Sequence, residues 1–138
     1  MEATARWEGG YRCVVQARQF EVRVDEPVSS GGADTGLQPT ELLLAALSSC
    51  FALAIAHVAM KRRVELADLR VKATGEYDGP RFRRVVVNVD SSHAVDELDS
   101  LVQQAIPFCY VSNTLRGGPE LEYRVGDRPI HLPPASPG

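Results

Sequence analysis

Gln38-Pro39-Thr40-Glu41-Leu42-Leu43-Leu44-Ala45-Ala46-Leu47-Ser48-Ser49-Cys50-Phe51-Ala52 is the stretch that decides the fold of this 138-residue chain. Pro39 suits the first position of a helix, where a missing N–H removes nothing, and Glu41 complements the positive end of the helix dipole. No charged residue follows until Lys61. The run approaches the ~20 apolar residues needed to cross a bilayer. Ser48, Ser49, Cys50, His57, the many alanines and the strand-like polar sequence on both sides fit a buried helix of a soluble domain better. Apolar residues on every side predict burial on every side, and Lys61-Arg62-Arg63 places cations at the carbonyl end.

Outward from this helix, both flanks read as antiparallel strands. Tyr11–Gln16 and Phe20–Asp25 come first, the second alternating with Phe20, Val22 and Val24 on one face and Glu21, Arg23 and Asp25 on the other. Val28–Gly36 (VSSGGADTG) is a loop by its glycines and short polar side chains. After the helix, Leu69–Tyr77 and Phe82–Asp90 flank Asp78-Gly79-Pro80, a long hairpin with turn chemistry at its tip. Val95, Leu98, Leu101, Val102, Ala105 and Ile106 recur at helical spacing, with Asp96 and Glu97 in the first turn and Pro107 at the stop. Glu120–Val125 alternates as a last strand.

The order of strands, helix, hairpin, helix and strand predicts an α+β domain with antiparallel sheets packed around a long central helix. The domain spans 1–128. A tail over 129–138 carries four prolines and is expected to be poorly ordered. One thin sheet cannot cover a helix that is apolar all round, so a tightly packed homodimer is expected to cover it.

Composition narrows the function classes. With 15 Lys and Arg against 18 Asp and Glu, the net charge of −3 gives no electrostatic case for nucleic acid. The short basic clusters Lys61-Arg62-Arg63 and Arg81, Arg83, Arg84 read as solvated charges. Three cysteines are too few and odd in number for a secreted disulfide scaffold. Met1-Glu2-Ala3-Thr4 is acidic and polar, unlike a leader. The expected compartment is the cytoplasm, and the expected state of the cysteines is the free thiol.

Chemistry then rests on those cysteines. A free cysteine commonly behaves as a small buried hydrophobe. Cys50 sits mid-helix, away from the dipole end that lowers a thiol pKa, so a reactive Cys50 needs a cation from elsewhere in the fold. Cys109 follows the helix-ending Pro107 and precedes Ser112-Asn113-Thr114-Leu115, a candidate short helix whose first N–H groups would hold a thiolate. Cys13, beside Val14 and Val15, reads as structural. His57 lies two turns beyond Cys50 on the same face, roughly 10 Å away and too far for a direct pair. The cysteines and His57, His93 and His131 show no short paired zinc spacing, and no phosphate loop or dinucleotide fingerprint is present.

Trp7-Glu8-Gly9, Pro39-Thr40-Glu41-Leu42 leading to Ala46-Leu47-Ser48-Ser49-Cys50, and Cys109-Tyr110-Val111-Ser112-Asn113-Thr114-Leu115 together resemble the OsmC/Ohr family of osmotically inducible and organic hydroperoxide resistance proteins. The resemblance covers roughly Ala5 to Val125. It implies an intertwined homodimer and thiol-based reduction of organic hydroperoxides, with Cys50 peroxidatic and Cys109 resolving. It further implies no metal or flavin, and recycling by an external dithiol, in some members a lipoylated protein. An arginine from before the helix would stabilise the thiolate; Arg18 and Arg23 are the counterparts, and Arg23 is favoured by its place on the polar strand face. Many family peroxidases carry glutamate directly after the opening proline. This chain has Thr40 there and Glu41 one place later, and at about 100° per residue Glu41 falls nearly opposite Cys50. Tyr110 stands where the motif has a proline. The alternative reading is a family-fold protein that binds a small hydrophobic or thiol-reactive ligand without efficient peroxidase activity.

Overall fold

The computed structural model of the chain describes residues 1–131 and 133. Three short strands open it: β1 (Thr4–Gly9), β2 (Arg12–Ala17) and β3 (Phe20–Val24), an antiparallel sheet in the order β1-β2-β3. Strand β1 was not anticipated; its inward positions offer only Ala5 and Trp7 as apolar signal. Register sets Trp7 opposite Cys13 and Cys13 opposite Val24, with Ala5, Val15 and Val22 in the next row. One face therefore gathers Ala5, Trp7, Cys13, Val15, Val22 and Val24, and Arg6, Arg12 and Arg23 alternate onto the other. Within one chain the apolar face is largely open, with Trp7 73% exposed.

The chain then folds a loop around Asp25, which is fully buried. Its carboxylate accepts from the backbone N–H groups of Glu26 (2.8 Å), Ala33 (3.2 Å) and Thr35 (3.1 Å) and from the Thr35 hydroxyl (2.7 Å). Asp25 N–H and the Leu37 carbonyl (3.1 Å) and Leu37 N–H and the Arg23 carbonyl (3.2 Å) close the loop. A Cβ on Gly32 would strike the Glu26 carbonyl, so only glycine fits there. The Thr35 hydroxyl, and with it the three backbone donors, holds the Asp25 carboxyl below its ordinary value of 3.8 against the opposing cost of burial. A carboxyl depressed on folding contributes stability that is present above 3.8 and is lost as pH falls through its lower folded value. Acidification below pH 4 is thus expected to lower the melting temperature of the native protein more than that of Asp25→Asn, measured by circular dichroism; equal acid sensitivity would refute the role of the Asp25 cage.

Helix α1 (Pro39–Arg62) follows. The Gln38 backbone N–H donates to Glu41 Oε2 (2.9 Å), the Gln38 amide reaches Glu26 (2.8 Å), and Arg63 ends the helix in the left-handed region. By length and apolar composition α1 is able to cross a membrane. Here it packs through one stripe, Leu47, Phe51, Ala54, Ile55, Val58 and Ala59, which is buried. Within one chain the opposite side of the helix is uncovered: Ala46, Ser49, Leu53 and Met60 face outward, Leu53 being 71% and Met60 70% exposed. A single chain simply has too few elements to enclose the helix.

Strands β4 (Arg70–Asp78) and β5 (Arg81–Asp90) form the expected hairpin, with Gly79 at φ 58° in its turn. Its inner row of Val71, Ala73, Val85, Val87 and Val89 packs against the α1 stripe. Helix α2 (Val95–Ala105) adds Leu101 and Ala105, both fully buried, to the same core. Helix α3 (Tyr110–Gly117) and a small hairpin, β6 (Tyr123–Val125) with β7 (Arg128–Ile130), complete the antiparallel α+β architecture. Strand β7 takes in Pro129 and Ile130 of the expected tail, while residues 132 and 134–138 lie outside the described part.

Candidate active site

Pro107 has no N–H to continue α2, and the chain tightens into a 3₁₀ turn at Ile106–Phe108. Cys109 leaves that turn with extended backbone (φ −86°, ψ 96°) and becomes the N-cap of α3. Its Sγ accepts from Ser112 N–H (3.4 Å), its carbonyl accepts from Asn113 N–H (3.0 Å), and the Asn113 amide donates to the Pro107 carbonyl (3.1 Å). The helix start expected near Ser112 therefore forms without a motif proline, and sulfur takes the place of a capping oxygen.

This turn carries Cys109, fully buried, against the half-buried Cys50 in the middle of α1. Cys50 packs against the core cluster that includes Cys109, close enough to bear on its thiol. Burial pushes the Cys109 thiol above its ordinary value of 9.0, and the nearby Cys50 acts in the same direction. The N–H groups of Ser112 and Val111 oppose them. Cys109 is accordingly held as the neutral thiol near neutral pH.

Cys50 also opens to solvent through a cleft of about 400 Å³, lined by Leu53, Ala54, His57, Phe108 and Tyr110. His57 meets Phe108 edge-on, with centroids 5.4 Å apart, and Lys61 Nζ lies 5.5 Å from the centre of the same ring. His57 thus shares the cleft without touching the sulfur, as two helical turns require. The aromatic wall was missed in the sequence. Its signal was the pair flanking Cys109, Phe108 and Tyr110, which only the turn after Pro107 brings beside α1.

A family model described as OsmC-like protein matches residues 31–124. The chain belongs to the OsmC family. Among solved structures, the OsmC-like protein of Mycoplasma pneumoniae has a TM-score of 0.74 at 19% identity, over 85% of this chain and 87% of that one. An organic hydroperoxide resistance protein from Elizabethkingia anophelis has a TM-score of 0.64 at 27% identity, over 84% and 87%. The organic hydroperoxide resistance protein OhrB of Bacillus subtilis has a TM-score of 0.63 at 25% identity, over 85% and 90%. No curated protein matches.

Measured against the family pattern, the two cysteines of this OsmC chain meet and the other expected site residues do not join them. Glu41 is engaged with the Gln38 N–H at the start of α1, on the face away from Cys50. Thr40, in the glutamate position of many family peroxidases, accepts from the Tyr77 hydroxyl (2.8 Å) and does not line the Cys50 cleft. Arg23 is exposed on the polar face of β3, and Arg18 stacks on Phe20, 5.2 Å from its centre. Neither arginine lines the cleft within one chain. Cys13 is half-buried on the apolar sheet face, in keeping with a structural residue.

Proposed function

We propose that this OsmC-family chain is a thiol-dependent reductase of organic hydroperoxides, with Cys50 peroxidatic and Cys109 resolving. The observation that carries the reading is the placement of the two thiols, Cys109 buried in the core against which Cys50 packs and Cys50 open to an apolar cleft. The Cys50 thiolate attacks the distal peroxide oxygen, the O–O bond breaks, and the alcohol leaves with a proton, giving a sulfenic acid at Cys50. The Cys109 thiol then displaces water from that sulfenic acid and forms the disulfide. An external dithiol, of lipoyl type in this reading, reduces the disulfide by two exchange steps and is itself oxidised. No metal or flavin takes part. The names of the Elizabethkingia and Bacillus proteins give the same chemistry further support.

The working unit in this proposal is a cytoplasmic homodimer, with neither membrane nor nucleic acid as partner. Two apolar surfaces favour it: the outward stripe of α1 at Ala46, Ser49, Leu53 and Met60, and the Trp7 face of the first sheet. Arg23 enters the mechanism only if a second chain brings it to the cleft, and Glu41 acts through the helix start that it caps.

Intact-mass measurement after one equivalent of cumene hydroperoxide tests the reaction. The chain is expected to lose two hydrogens within seconds, with peptide mapping placing a Cys50–Cys109 disulfide. An unchanged mass would overturn the redox reading and leave a hydrophobic-ligand binder.

A further inference from the structure

We propose that the chain carries a second ligand site, a cleft at the far end of α3 from Cys50, suited to a single-chain amphiphile with a carboxylate head. The cleft lies between the first turns of α1, the tip of the β4–β5 hairpin and the end of α3, and encloses about 480 Å³. That volume is in the range of small-molecule pockets. Leu43, Leu47, Phe82 and Leu115 make its apolar floor. The floor is built rather than incidental. Phe82 lies directly on Gly75, where a Cβ would collide with the ring, and it tilts against Tyr77 with centroids 4.6 Å apart.

The rim is cationic. Arg81, Arg83, Arg84 and Arg116 all line the cleft. Two carboxylates stand against them: Glu76, shared by Arg83 and Arg84 at 3.3 Å each, and Asp78, 3.9 Å from Arg81. Arg116 has no carboxylate partner among the described residues. Four cations over two anions give a local excess opposite in sign to the whole chain, whose net charge is −3. Planar guanidinium groups bind carboxylates in a bidentate fashion, and an apolar floor beneath them takes an alkyl chain. A second copy of the chain is a poor occupant, because a two-fold contact through this face would set arginines against arginines.

The redox chemistry of Cys50 plays no part in this site, so the two proposals fail separately. Decanoate and 1-decanol, equal in chain length and different in charge, are the probes, titrated by calorimetry and by amide shifts in NMR spectra of the full chain. Decanoate is expected to bind saturably at one site per chain, with shifts at Leu43, Gly75, Phe82 and Leu115. 1-Decanol is expected to bind about tenfold more weakly, and Arg84→Gln with Arg116→Gln to weaken decanoate by a similar factor. Cys50→Ser should bind decanoate as the native chain does. Equal affinity for the two probes, shifts confined to the Leu53–Phe108–Tyr110 cleft, or indifference to the arginine substitutions would each overturn the proposal. The comparison of the probes on native protein decides the matter even if the double variant misfolds.

Discussion

Cys50→Ser is expected to reduce the consumption of cumene hydroperoxide to the uncatalysed background, a loss of at least about 10³-fold in the rate with excess dithiol. Among the described residues a serine hydroxyl at mid-helix has no base within reach: His57 lines the same cleft but lies two turns away. Cys109→Ser should behave differently. The first attack needs only Cys50, so one equivalent of peroxide should still be consumed at close to the native rate. Serine cannot close the disulfide, and the Cys50 sulfenic acid should persist and be trapped by dimedone. The substitution is mild for the fold, since serine is itself a good N-cap for α3. Undiminished turnover by Cys50→Ser would remove the mechanism. A rapid disulfide in Cys109→Ser would move the resolving role to Cys13 or to another chain.

The distinction between these variants depends on a meeting of sulfurs that no local pattern announced. The elements themselves were largely legible, because each carries its own punctuation. Pro39 and Glu41 mark the start of α1, Asp78-Gly79-Pro80 turns the hairpin, and Pro107 stops α2 at the residue where a donor is lost. Strand β1 was not legible, as Ala5 and Trp7 alone mark its apolar face and that face lies open. The site divides along the same line. Cys50 and Cys109 stood out through family motifs, whereas the aromatic wall and the arginine-rimmed cleft arise where distant segments pack. Arg23 and Glu41 stand apart from the cleft within one chain, because strand alternation turns the one outward and the start of α1 engages the other.

The second large effect expected is on stability, at Leu101. This side chain is fully buried and is the main anchor of α2, whose other buried residue is the small Ala105. Leu101→Ala removes three carbons from a core that also holds Ile55, Val58 and Cys109, and should cost about 2–5 kcal/mol in denaturant unfolding. Val95→Ala, on the same helix but exposed, should stay within about 0.5 kcal/mol of the native protein. The consequence for chemistry follows from the order of the chain. Only the turn at Ile106–Phe108 separates α2 from Cys109, so a loosened α2 loosens the resolving thiol while Cys50 stays fixed in α1. Rapid-mixing measurements on Leu101→Ala, under conditions where it remains folded, should show sulfenic acid formation at the native rate and slower disulfide closure. Equal slowing of both steps would mean that α2 supports the whole core evenly, and native rates in both would mean that Cys109 is held by α3 alone.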